Sequence, residues 1–343
     1  MATFIIVCEE EERALHRERV FRDRSQILDT LSDDVLVARY RMPRHALFML
    51  INKVQPHIMP DTKRSHALSP ETKVLTTLRF LGKGEFFVEL GDLNGISKSS
   101  VSRLLRPTIQ GICDALNNIS IDQTRGSIIR TKSDFFKLAG FPKVIGAIDG
   151  TLIPIAKPPA DEEAAFVCRK GFHAINVQAV CDASLGFTND VARWPGSAHN
   201  SSILNNSIIG QTFQHDCPDG FLLGDSGYGC RPWLLTPLAD PSTPAQQRYQ
   251  LAHCKTRNVV ERAFGVLKSR FRCLHKSTGY LPFSTKKCCK EILACFYLHN
   301  FCIDLRLPQP EPMEEDNTDD PYQGAVNDGH QVRQHLIDYF FTA

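Results

Sequence analysis

Two short apolar runs in this chain each carry a carboxylate where a core residue belongs, and any fold for the chain has to accommodate both. Residues 144–155 read VIGAIDGTLIPI, and residues 221–228 read FLLGDSGY. Runs of this length, bounded by glycine or proline and rich in branched aliphatics, predict short buried strands. A carboxylate at the end of such a strand is costly to bury unless something compensates its charge. The glycine beside each acid lets backbone or ligand approach closely. One Asp-Gly pair alone is an ordinary turn. Two such acids, Asp149 and Asp225, 76 residues apart, together point to a shared divalent cation.

The segments around them predict the rest of the fold. AINVQAVCDA and GFTNDVARW read as a second and third strand. Pro195-Gly196-Ser197 leads into a helix over SAHNSSILNNSII, with Ser197 as its expected cap. A long helix is expected from Thr256 to about Phe271. Three strands in sequence, then a strand and helices, give an α/β class with a mixed sheet flanked by helices. Ahead of it the chain is helical. Residues 9–60 have apolar positions at helical spacing, and Ser69-Pro70-Glu71 opens a helix that Gly82 and Gly84 end. Phe86–Ile112 predicts a short helix, a glycine turn, and a second helix from Lys98 to about Arg106, capped by Ser97. That spacing fits either a helix-turn-helix or a plain helical hairpin. The expected division is a helical region at 1–135, with the helix-turn-helix-like segment at 65–110. A catalytic domain at 142–305 and an acidic, disordered tail at 306–343 follow.

Composition narrows the class. With 343 residues, 42% hydrophobic and 23% charged, the chain has enough apolar side chain for a globular core. No stretch approaches the roughly 20 apolar residues that span a bilayer, so no membrane partner is expected. MATFIIVC is followed by four glutamates and lacks the basic start of a secretory signal. The 12 cysteines include no CxxC, and reduced, buried thiols are expected. The net charge of +2 hides an asymmetry. Ten Lys/Arg and one acid lie between His253 and Lys290, whereas seven acids and no base lie between Glu311 and Asp328. The basic block suits a polyphosphate backbone or, equally, a solvated helix face.

That single acid is Glu261. In TRNVVERAFGVLKSRF, Val260, Phe264, Leu267 and Phe271 form one apolar stripe, with Glu261 at its edge between Arg257 and Lys268. Alone, Glu261 reads as half of a surface pair with Arg257. Taken with Asp149 and Asp225 it completes a set of hard oxygen donors suited to Mg2+ or Mn2+. Two such ions can drive an in-line displacement at phosphorus. Arg257, Arg262, Lys268 and Arg270 are then the expected contacts to a DNA backbone, with Lys98 and Arg103 on the outer face of the helix-turn-helix-like segment.

GAIDGT, VQAVCD, WPGSAH, LLGDSGY and TRNVVERAFGVLKSRF occur in the order found in Harbinger-type DDE transposases, and the chain resembles that family, in particular its transposase-derived nuclease branch in animals. The 36 residues from Asp225 to Glu261 suit the same pattern. The resemblance, over roughly residues 30–305, implies an RNase H-like fold and a catalytic triad of Asp149, Asp225 and Glu261 on Mg2+ or Mn2+. It also implies DNA as substrate, a separate Myb/SANT-like DNA-binding partner, and nuclear action, with cytoplasm and a homodimer left open. Two positions depart from the family pattern. Asn200 stands where an aspartate is common, which puts any charge-based role there in doubt, and Gln250 stands where an asparagine is common.

His199 reads as a structural or substrate-positioning residue, and Asp182 as a turn residue or a further ligand; Asp190 also reads as a turn residue. Ser226 lacks the surroundings of a nucleophile, and GKGEFF lacks Walker spacing. The leading expectation is a metal-dependent DNA nuclease. Its rivals are an adaptor that kept the fold without cutting and a helix-turn-helix regulator.

Overall fold

The computed structural model describes residues 27–59, 67–122, 124–313, 321–324 and 329–342. Its first helices are α1 (Ile27–Thr30), α2 (Asp33–Tyr40), α3 (Arg44–Ile58), α4 (Pro70–Lys83), α5 (Phe87–Asn94), α6 (Lys98–Leu116) and α7 (Arg125–Ala139). Then come β1 (Val144–Pro154), α8 (Glu163–Phe166), β2 (Ala174–Cys181), β3 (Phe187–Pro195), α9 (Asn200–Asn205), α10 (Ile208–His215), β4 (Phe221–Leu223) and β5 (Leu234–Leu235). The chain closes with α11 (Pro244–Arg270), α12 (Thr285–Asp304) and α13 (Gly329–Phe340). The strands form one sheet in the order β3-β2-β1-β4-β5. β1, β2 and β3 pair antiparallel, while β4 and β5 join parallel to β1. This is the mixed, helix-flanked sheet of an RNase H-like fold.

Alternation along β1 sends its residues to two cores. Ala147 and Ile153 face the larger one, built with α11, α12 and the N-terminal helices. Ile148 faces a smaller one with Leu204, Phe213 and Trp233, under α9 and α10. The larger core runs without a break from Leu36 and Leu50 through Phe264 to Ile337, so the helical region packs as one body with the sheet and its helices.

Several local signals hold. Ser69 caps α4 through the Thr72 N–H, and Ser97 caps α6 through the Ser100 N–H. α5, its turn and α6 have helix-turn-helix form: the Ile96 N–H bonds Gly91, whose missing side chain leaves room for the Ile96 carbonyl. α6 runs ten residues past the expected Arg106 because its apolar side lies under α3, α4 and α12. α11 begins at Pro244 rather than Thr256, started by a Thr243–Gln246 capping box. Ser197 is not a cap; His199 caps α9 instead, and Ser207 starts α10 separately. The expectation of a disordered tail is corrected at 329–340, where α13 buries Leu336 and Ile337. Residues 314–320 and 325–328, which hold most of the tail's acids, and residues 1–26 lie outside the described residues. All 11 described cysteines are free thiols, and no described helix is long and apolar enough to cross a membrane.

Glu291 on α12 is 3% exposed and has an oxygen with no hydrogen-bond partner. Burial raises its carboxyl to about 8. The folded protein therefore keeps a proton that the unfolded chain releases above about 4.5, and this group's contribution to stability falls as pH rises from there towards 8. Glu291→Gln is expected to raise the thermal midpoint at pH 8 by a few degrees (on the order of 1 kcal/mol or more). The gain should shrink at pH 5, which melting curves at the two pH values would check.

Candidate active site

Strand register brings the two aspartates together. β4 pairs with β1 up to Ala147–Leu223, and two residues further along the two chains stand Asp149 and Asp225. Asp149 is therefore not at a strand end. It sits mid-strand, opposite Ala179 on β2, at the level where β4 stops and opens a notch beside it. Nor is Gly150 a turn residue. A Cβ there would meet Asn200 Oδ1 at 2.3 Å, so glycine is needed for α9 to reach the sheet.

Asp149 is 1% exposed and Asp225 8%. Each is held by a backbone N–H: Asp149 Oδ1 accepts from Gly150 at 2.7 Å, and Asp225 Oδ1 from Gly227 at 3.0 Å. Asp149 and Thr151 project from the same face of β1 towards α11. From α11, Arg257 Nη1 donates to Asp149 Oδ2 at 3.1 Å, and its Nη2 donates to Glu261 Oε1. Burial works against the Arg257 charge, but Asp149, Glu261 and Asp225 more than offset it and raise its pKa. Two of the acids thus bond one guanidinium, and the charge of the third, Asp225, acts on it as well. Among the described residues no three His, Cys, Asp or Glu side chains lie close enough to hold a metal ion by themselves.

Lys268 fixes where Glu261 stands. It is 2% exposed, and its Nζ donates to Thr151 Oγ1 at 2.7 Å and to the Leu152 carbonyl at 3.3 Å. At the other end of α11, His253 meets the Leu235 carbonyl of β5 at 3.1 Å. Between these anchors the helix cannot slide along the sheet.

Of the six expected DNA contacts, two are corrected. Lys268 is buried as described, and Arg270, 3% exposed, donates to the carbonyls of Arg41 and Pro308. Both lie on the apolar side of α11, so neither reaches a backbone. Arg257 is spent on the acids. Arg262, Lys98 and Arg103 are exposed. Asp182 is also corrected as a ligand. It accepts from the Ser184 and Gly186 N–H groups and closes the β2–β3 turn away from the carboxylates, and burial raises its pKa. His199 is an exposed helix cap.

A buried polar brace was missed by sequence reasoning. On β2, Asn176 donates to the Ala198 carbonyl and Asn200 Oδ1, and Gln178 donates to the Asn200 carbonyl and the Tyr228 hydroxyl. Ser201 adds a bond to the Gly227 carbonyl. The brace ties β2 to α9 and to the loop after Asp225. Its signal was present in AINVQAV, where two amides alternate within an otherwise apolar strand.

Residues 148–300 match the DDE superfamily endonuclease family. Over 319 residues, 90% of this chain and 91% of the relative, the sequence is 35% identical to HARBI1 of Mus musculus, named for an assumed nuclease activity. The chain belongs to the Harbinger-type DDE endonuclease family. HARBI1 of Homo sapiens is 37% identical over 84% of each chain. An ALP1-like protein of Arabidopsis thaliana is 29% identical over 69% of this chain and 62% of its own. No solved structure matches.

Lys268→Met is expected to leave the Thr151 hydroxyl and Leu152 carbonyl short of a donor and to cost about 2–4 kcal/mol. Denaturant unfolding measures it. An unchanged midpoint would show that Lys268 does not anchor α11.

Proposed function

We propose that this protein is a metal-dependent nuclease that hydrolyses DNA phosphodiester bonds, with Asp149, Asp225 and Glu261 as its catalytic carboxylates. The observation that carries this reading is that Arg257 bonds carboxylates from both β1 and α11, with Asp225, two residues past β4, beside Asp149 in the sheet register and adding its charge. Carboxylate oxygens are the donors Mg2+ and Mn2+ take, and the guanidinium is a stand-in for positive charge at that place. When bound, such a cation lowers the pKa of its water and stabilises charge on the leaving oxygen.

The remaining work belongs to the chain's own residues. Gly150 and Gly227 N–H groups aim the two aspartates, and Lys268 sets the height of Glu261. Arg262, exposed beside Glu261, is placed to bind a DNA phosphate. Lys98, Ser99, Ser102, Arg103 and Arg106 form an exposed stripe on α6, which suits contacts further along the duplex. On the resemblance alone, the reading extends to a separate Myb/SANT-like DNA-binding partner and to nuclear action.

A cleavage assay with Mg2+ or Mn2+ on candidate terminal-repeat DNA tests the activity. Asp149→Asn, Asp225→Asn and Glu261→Gln are each expected to lower the rate at least about a hundredfold. Wild-type rates in these variants would remove the assignment. The adaptor reading draws on the same Arg257 pairing, since neutralised acids need no metal; it requires DNA binding without cleavage at any metal concentration.

The α6 stripe has its own test. Lys98→Ala with Arg103→Ala should weaken DNA binding and reduce the slope of log K against log salt by about 2. An unchanged slope would place both residues outside the interface.

A further inference from the structure

We infer that Arg257 sets the divalent-cation affinity of this site: it holds the carboxylates when no cation is bound and must leave Asp149 and Glu261 before one enters. The inference rests on the reading of the triad as a metal site.

The geometry makes the two kinds of occupant exclusive. Arg257 gives Nη1 to Asp149 and Nη2 to Glu261, so the guanidinium fork stands between two oxygens that a cation would have to share. That spacing agrees with the lack of any ready-made cage of three ligands among the described residues. Arginine does not lose its proton in proteins, so displacement is the one way to free the acids.

The four side chains differ in how far they can adjust. Asp149 and Asp225 are nearly enclosed and are held by N–H groups of their own loops and strands. The Glu261 side chain is 42% exposed and Arg257 18%, both on a helix face that opens to solvent. The route out for Arg257, and the way in for a cation, therefore lies along Glu261. A site whose competent form excludes its own arginine binds more weakly in proportion to how seldom that form is populated. If the arginine is off about one tenth of the time, the apparent affinity is about tenfold below the intrinsic one.

An alternative role for Arg257, purely structural, makes the opposite prediction. Without its bridge the acids would scatter, and cation binding would weaken. The sign of the change separates the two.

The experiment is calorimetric titration of the full chain with MnCl2, for wild type, Arg257→Gln and Arg257→Lys, with thermal unfolding of each before and after addition. Arg257→Gln is expected to bind Mn2+ about tenfold more tightly, to melt lower without metal, and to gain more than wild type on adding it. Arg257→Lys keeps the charge but cannot bridge both carboxylates, and is expected to fall between. If Arg257→Gln does not fold, Arg257→Lys decides, and affinity equal to or weaker than wild type overturns the inference. Equal or weaker binding by a folded Arg257→Gln overturns it too, while leaving the metal site standing. A folded wild type that binds no Mn2+ at millimolar concentration removes both the inference and the metal reading beneath it.

Discussion

The structure around the site depends on one electrostatic requirement: three carboxylates brought together in a largely enclosed notch need a positive charge among them. Asp149 could not sit mid-strand between two cores without one. Arg257 supplies it from the preceding turn of the helix that carries Glu261. The position of α11 follows from the same need, because an arginine can bridge the sheet and its own helix only if the helix lies at one height. Lys268 and His253, each bonded to the sheet's backbone or side chains, hold it there. The small core on the opposite face, with Asn176 and Gln178 bracing α9, keeps the strand that bears Asp149 from yielding to the charge behind it.

How much of this was legible depended on whether the determinant was local. The strands could be read because apolar runs between glycines allow little else, and Ser69 and Ser97 could be read as caps because a cap is decided within four residues. The length of α6 could not, since residues beyond Arg106 stay helical through packing against α3 and α12. The same holds for α13, whose polar, acidic approach masks a helix stabilised by burial of Leu336 and Ile337 against the main body. Asp149 was found for a partly mistaken reason. Its place looked like a strand end, whereas the strand continues for five residues; the glycine beside it does serve the close approach expected of it, clearing space for Asn200.

The basic block on α11 shows the limit of counting charge. Lys268 and Arg270 fall on the buried side, Arg257 faces the acids, and Lys255 and Arg262 face solvent. Helical periodicity assigns Val260, Phe264 and Leu267 to the core, and Lys268, one residue on from Leu267, lies close enough to that stripe to be drawn in. What decides its fate is a partner 117 residues away, the Thr151 hydroxyl, which nothing near Lys268 in sequence announces. Glu261 was ambiguous for the same reason: its pairing with Arg257 is the ordinary i, i+4 contact of a helix surface, and the same arginine also bonds Asp149, which is what makes the proposed place in the site compatible with that contact.

This double role divides the site into a fixed and an adjustable part. Asp149 comes from the sheet and Asp225 from the loop just past β4, and a backbone N–H bonded to each leaves the carboxylates little freedom. Glu261 and Arg257 come from a helix face, and their main constraint is each other. On the proposed reading, a cation arriving in the notch is met without moving a strand: Arg257 leaves Asp149 and Glu261, and Glu261 turns inward. Rearranging side chains on an anchored helix disturbs little packing, whereas shifting β1 would disturb two cores at once. The fold thus confines whatever adjustment the chemistry requires to the two residues best placed to make it.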